Sequence, residues 1–191
     1  MPAEVEQTLD EASRTKELVD LIGGIMAGDE PALERFYEAT IDRIYALASR
    51  ILGQGPDAEE ITEDVYLYVW RNAERFDADQ GHPMAWLVTL VRSRAIDRLR
   101  HLNKHARVGA ALADAAATAD IVEEEPFALL HGTRLMASIE ALPQVQRQIL
   151  TLAYFRGMTH AEIAQDLGMS LGTVKTHIRR TLIALRVEVE A

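Results

Sequence analysis

Pro31, Pro56, Pro83, Pro126 and Pro143 each stand at or near the start of a stretch whose apolar residues recur at three- and four-residue intervals. A proline in the first turn of a helix loses nothing, because its missing N–H would have had no partner there; in a helix interior or a central strand it is costly. Prolines so placed mark helix starts. Val and Ile nowhere gather into alternating runs, aromatic residues make up 6% of the chain, and 48% is hydrophobic, so apolar surface is available for helical cores but not for a sheet. The pattern predicts an all-α protein with helices at about 16–27, 30–52, 57–75, 83–104, 127–141, 143–155, 159–167 and 171–187. With 191 residues, the chain has room for one large or two small domains.

Segment 106–125, ARVGAALADAAATADIVEEE, breaks this rhythm: it is rich in Ala, ends in an acidic run and has no broad apolar stripe. It is expected to be a linker between two helical domains. The chain has no cysteine, so disulfides, thiolate zinc sites and cysteine redox sensing are out of reach. Its N-terminus, MPAEVEQTLDEASRTKELVD, is acidic and lacks an apolar signal core, and no stretch approaches the ~20 apolar residues of a membrane span. A cytoplasmic protein with no membrane contact of its own is the expectation.

The formal net charge is −10, which argues against a general nucleic-acid coat. DNA, however, responds to charge within about a Debye length, ~8–10 Å, so distribution outweighs the sum. In THAEIAQDLGMSLGTVKTHIRR, residues 159–180, Thr159 and Glu162 have capping-box spacing, Gly168 suits a left-handed C-cap, and Ser170 can cap a second helix. Ile163, Ala164 and Leu167 would form the buried side of the first helix; Val174, Ile178, Leu182 and Leu185 would form the apolar stripe of the second. A helical wheel puts Thr173, Thr176 and Arg180 opposite that stripe, with Lys175, His177 and Arg179 on its flanks. The spacing predicts a helix-turn-helix whose recognition helix, Leu171 to Arg186, carries cations and no acid. In a major groove, Arg pairs with guanine edges, and Thr and Lys hold phosphates or bases. The run GTVKTHI also resembles the recognition helix of LuxR-type regulators, but those usually carry a βαβ receiver domain, for which this chain has no pattern.

Residues 57–100, DAEEITEDVYLYVWRNAERFDADQGHPMAWLVTLVRSRAIDRLR, are decisive. An acidic helix start, then aromatics and Trp, then FD…G…WL, then a basic RAIDRLR helix resembles the helical region 2 domain of the sigma-70 family in its small extracytoplasmic-function (ECF) form. LPQVQRQILTLAYFRGMTHAEIAQDLGMSLGTVKTHIRRTLIALR, residues 142–186, resembles the family's region 4 domain. The resemblance implies an acidic N-terminal tail (1–15), a region 2-like bundle (16–105), a flexible linker (106–126) and a region 4-like helix-turn-helix domain (127–188). It also implies the partners: the bacterial RNA polymerase core, met at the β′ clamp and the β flap; promoter DNA; and an anti-sigma factor that holds the chain silent.

Asp57, Glu59, Glu60, Glu63, Asp64, Tyr66 and Trp70 fall where the family docks on the clamp. Asp77, Asp79, Gly81, His82, Trp86, Arg92, Ser93, Arg94, Arg98 and Arg100 fall where it binds and opens the promoter's −10 element. Thr173, Lys175, Thr176, His177, Arg179 and Arg180 fall where it reads the −35 element. Two positions depart from the family's pattern: Glu63 stands where Gln is usual and Ser93 where Asn is usual, which bears on base choice at −10.

No catalytic residue, metal site or cofactor is expected. A helical metalloenzyme would need Glu-x-x-His pairs facing inward; those, HExxH, GxxxxGK and GxGxxG are absent from the sequence. An adaptor that mimics a sigma domain would carry a receiver domain and would have no use for a basic recognition helix.

Overall fold

A computed structural model describes residues 2–110 and 138–190, with side chains treated over 12–104 and 138–185. Among the described residues there is no strand. The helices are α1 (Pro2–Met26), α2 (Glu30–Leu52), α3 (Pro56–Asn72), α4 (Pro83–Ala110), α5 (Gln144–Tyr154), α6 (His160–Asp166) and α7 (Leu171–Glu190), with a 3-10 turn at Ala73–Arg75. Residues 111–137, which hold most of the expected linker and the expected helix start at 127, lie outside the described residues.

Helix starts fall where the prolines put them: Pro31 and Pro56 occupy the first turns of α2 and α3, and Pro83 opens α4. Several boundaries differ from the sequence expectation; α4 runs to Ala110 rather than ending at about 104, so the first residues of the expected linker are helical. The first helix begins at Pro2 rather than at about residue 16. The expected helix 57–75 ends at Asn72 and tightens into the 3-10 turn, in which Phe76 N donates to the Ala73 carbonyl (3.0 Å).

The chain divides into two compact units that part within α4, between Ala95 and Ile96. In the first, α2 buries Ala32, Phe36, Thr40, Ile44, Leu47 and Ile51, one stripe at three- and four-residue spacing. It packs against α1 through Leu18, Leu21, Ile22 and Ile25, and against α3 through Ile61, Val65 and Val69. Phe36 is fully enclosed, and burying a side chain of that size contributes roughly 1.5–3 kcal/mol. Gly24 lets α1 and α2 approach closely: a Cβ there would lie 2.7 Å from the Ala32 Cβ. The buried hydroxyl of Thr40 donates to the Phe36 carbonyl (2.6 Å) and lies 2.8 Å from the Tyr66 hydroxyl, so these two hydroxyls have partners inside the core.

In the second unit, α5, α6 and α7 enclose a small core of Ile149, Ile163, Ala164 and Val174. Leu152, Met158, Leu167, Met169 and Ile178 pack around it.

Candidate nucleic-acid and polymerase interfaces

The helix-turn-helix is built from local devices, each visible in geometry. Thr159 Oγ1 accepts from Glu162 N (3.3 Å) while a Glu162 carboxylate oxygen accepts from Thr159 N (2.7 Å), which closes the capping box. At the other end of α6, Met169 N donates to the Ala164 carbonyl (2.9 Å) and Gly168 N to the Gln165 carbonyl (3.4 Å). That pair of bonds is a Schellman turn, and it requires the positive φ of 63° that Gly168 supplies. Ser170 then caps α7, accepting from Thr173 N (3.1 Å).

The turn fixes which way α7 faces. Val174 is buried, His177 and Ile178 are half-buried, and Thr173, Lys175, Thr176, Arg179 and Arg180 are exposed. Thr173 and Thr176 are partly engaged within the helix, with Thr173 Oγ1 2.8 Å from Ser170 Oγ and Thr176 Oγ1 donating to the Gly172 carbonyl (2.8 Å). His177 differs from the five other expected DNA-facing residues, because its Nδ1 is buried and without a partner.

The expected apolar stripe of α7 is corrected at one position. Leu182 is 54% exposed, and Thr181 is buried in its place, donating to Gln146 Oε1 (3.2 Å). At 100° per residue, Thr181 lies within 20° of Val174 around the helix and Leu182 about 80° away, off the edge of the covered face.

In the first unit, α3 separates two surfaces. Glu59, Glu60, Glu63 and Asp64 are exposed and Asp57 is half-buried, so the carboxylates form an outward acidic face. Leu67, 51% exposed, lies on that face three residues past Asp64 and four past Glu63. Trp70 is half-buried. Tyr66 is corrected: at 6% exposure it is a core residue, its ring edge-on to Tyr37 (4.7 Å between centroids), and it offers no surface to a partner. Burial pushes its phenol well above the ordinary tyrosine pKa; the Thr40 hydrogen bond opposes that shift, and Tyr37 and Asp42 add to it. A sequence reading favours Tyr over Leu as an interface anchor and so passes over Leu67. The signal was its place one turn beyond two acids.

The loop before α4 is braced. Asp77 accepts from Asp79 N (2.9 Å) and from Gln80 Nε2 (2.6 Å). His82 Nδ1 accepts from Met84 N (3.0 Å), and its Nε2 lies 2.9 Å from Thr15 Oγ1. Asp77, Asp79, Gly81 and His82 are exposed, while Trp86 is half-buried with its ring 5.5 Å from that of buried Phe76. Along α4, Leu87, Val91 and Ala95 face the core. Ser93 and Arg100 are exposed, and Arg92, Arg94 and Arg98 are half-buried. Arg92 and Arg98 are both engaged with partners, and Arg100 Nη2 donates to the Gly157 carbonyl (2.9 Å) within the second unit.

A helical protein with a capped helix-turn-helix, an exposed cationic second helix and a separate acidic face has the build of a promoter-binding protein. Comparison with known proteins narrows this. The family model for sigma-70 region 2 matches residues 36–105, and that for sigma-70 region 4 matches residues 133–185. The ECF RNA polymerase sigma factor SigK of Mycobacterium ulcerans (strain Agy99) is 37% identical over 177 residues, covering 91% of this chain and 94% of that protein. SigK of Mycobacterium tuberculosis (strain ATCC 25618 / H37Rv) is 36% identical over 176 residues, covering 90% and 93%. A solved chain described as "Structure of CnrH in complex with the cytosolic domain of CnrY" aligns with a TM-score of 0.41 at 19% identity, over 89% of this chain and 95% of that one. The chain belongs to the sigma-70 family, as an ECF sigma factor.

Proposed function

We propose that this chain directs core RNA polymerase to a specific set of promoters, with the work divided between its units. Residues 16–105 act as the polymerase-docking and −10-opening domain, 127–188 as the −35-reading domain, and 106–126 as the linker. The acidic face of α3, with Leu67 as its apolar anchor, docks on the polymerase clamp: exposed carboxylates steer the encounter and the leucine supplies area that water leaves on binding. The braced loop 76–82 and α4 hold the opened −10 element, where a few kcal/mol of unstacking must be offset by pocket and backbone contacts. Lys175, Arg179 and Arg180 enter the major groove at −35.

The observation that carries this reading is the sorting of charge in an acidic chain: carboxylates outward on α3, cations outward on α7. Net negative charge suppresses binding of the free protein to DNA, so promoter affinity arises in the holoenzyme. The bond-making chemistry belongs to the polymerase, the place of action is the cytoplasm, and an anti-sigma factor keeps the chain silent, as the family implies. Among the described residues, no helix is long and apolar enough to cross a membrane.

In vitro transcription with bacterial core polymerase tests the proposal. The wild-type chain is expected to support initiation without any other sigma factor, and Asp64→Lys to lose core binding. A requirement for the housekeeping sigma factor would favour a LuxR-type regulator and sink the reading.

A further inference from the structure

Tyr68 follows Leu67 on α3 and lies about 40° around the helix from Asp64, at the edge of the acidic face. Its ring is half-buried. The Arg94 guanidinium lies over it, its carbon 4.4 Å from the ring centroid, and Arg94 Nη1 donates to the Leu90 carbonyl (3.4 Å). From the other end Arg75, exposed on the 3-10 turn, donates through Nη1 to the Tyr68 hydroxyl (3.4 Å). Asn72 Nδ2 donates to the Tyr68 carbonyl (3.0 Å) and secures the last turn of α3 that leads into Arg75.

Two guanidinium groups from different elements therefore converge on one phenol. Among the described residues, neither meets a carboxylate within salt-bridge distance. Each guanidinium has five N–H donors and spends few of them here. Like charges gathered at a half-buried ring, with donors to spare, favour an anion between or beside them. A planar guanidinium already held against a ring loses less freedom when it grips a phosphate, and it grips bidentately. In the expected complex the dense source of such anions is the promoter backbone.

We propose that Arg75 and Arg94, positioned by Tyr68, clamp one backbone phosphate of the displaced promoter strand and do so without reading its sequence. The inference rests on the sigma-factor reading above; it joins Arg94, which the resemblance already places at the −10 element, to Tyr68 and Arg75, which lie outside every position assigned from the sequence. Tyr68 acts through the arginines and is a positioning residue.

The test uses holoenzyme assembled from the full chain and core polymerase, with a promoter selected by the wild-type holoenzyme from a randomised DNA library. Affinity for a forked version of that promoter, single-stranded over its −10 element, is measured against salt concentration. Arg75→Gln and Arg94→Gln are each expected to weaken binding roughly tenfold at low salt. Each should also make the log–log salt slope shallower by about 0.7, the loss of one single-strand phosphate contact. The weakening should be equal across base changes in the single-stranded segment. Tyr68→Leu should reproduce it, and Tyr68→Phe, which keeps the ring under Arg94 but loses the acceptor for Arg75, should fall between.

An unchanged salt slope in both arginine variants would overturn the clamp, even if Tyr68→Leu weakens binding by loosening the fold. So would a shift in base preference, or a loss of affinity for core polymerase measured without DNA, which would make the cluster a protein contact. If the wild-type holoenzyme selects no promoter at all, the sigma-factor reading itself fails and takes the clamp with it.

Discussion

The two cationic helices of this protein hold their charge in different ways. On α7, Lys175, Arg179 and Arg180 stand exposed, with no hydrogen bond or ion pair to other described residues. On α4, Arg92 and Arg98 are half-buried and engaged, Arg94 rests on Tyr68, and Arg100 reaches the Gly157 carbonyl. Exposed guanidiniums with donors uncommitted suit base edges, where reach and bidentate fit decide the sequence. Braced ones suit backbone phosphates, which need a fixed charge and no discrimination. On the proposed function, one chain would separate reading from holding by how tightly each helix constrains its arginines.

The strongest way to break this contrast is to remove the support under α7. Ile163→Ala opens a cavity in a small core built around Ile149, Ile163, Ala164 and Val174. It should cost about 3 kcal/mol, seen as an early transition of the second unit in urea, while far-UV signal from the first unit persists. A single unshifted transition would show that α7 does not depend on this core.

A smaller effect sharpens the contrast directly. Arg180→Ala should relax base preference at −35, costing about 2 kcal/mol against the preferred sequence and almost nothing against scrambled DNA. If it weakened both equally, α7 would be holding rather than reading. Next in size is Thr159→Ala, which removes half of the capping box and should lower the stability of the second unit by about 1 kcal/mol in the same urea titration.

The smallest effect belongs to the first unit and shows only in alkali. The buried Tyr66 phenol ionises at higher pH in the folded protein than in the unfolded chain, because burial disfavours the charged form. Its stabilising share is therefore complete below the unfolded value of about 10 and is lost as the pH rises above it. Tyr66→Phe should cost little at neutral pH, roughly the hydrogen bond to Thr40, and should flatten the fall in stability above pH ~10. An unaltered alkaline slope would place the responsible group elsewhere.

Helix starts, the turn of the helix-turn-helix and the family were legible in the sequence, because each rests on contacts within a few residues. A proline needs only its own φ, and Thr159 and Glu162 satisfy each other three residues apart. Gly168 needs only freedom from a Cβ, and Ser170 reaches Thr173 along one turn. These devices act before any tertiary neighbour arrives. The sorting of charge followed from the same pattern, since the acids on α3 and the cations on α7 lie opposite apolar stripes.

Which residue at the edge of a stripe goes inside was decided only in three dimensions. Tyr66 is buried and Leu67 exposed; Thr181 is buried and Leu182 exposed. In both pairs the more polar residue is the inner one, against hydrophobic ranking. One step along a helix turns a side chain by 100°, and whether that step ends in a core or in water depends on where the neighbouring helix lies. Thr40 gives Tyr66 a partner inside, and Gln146 does the same for Thr181. Arg75 and Arg94, nineteen positions apart, meet on Tyr68 for the same reason: the sequence sets the faces of each helix, and packing chooses which faces meet.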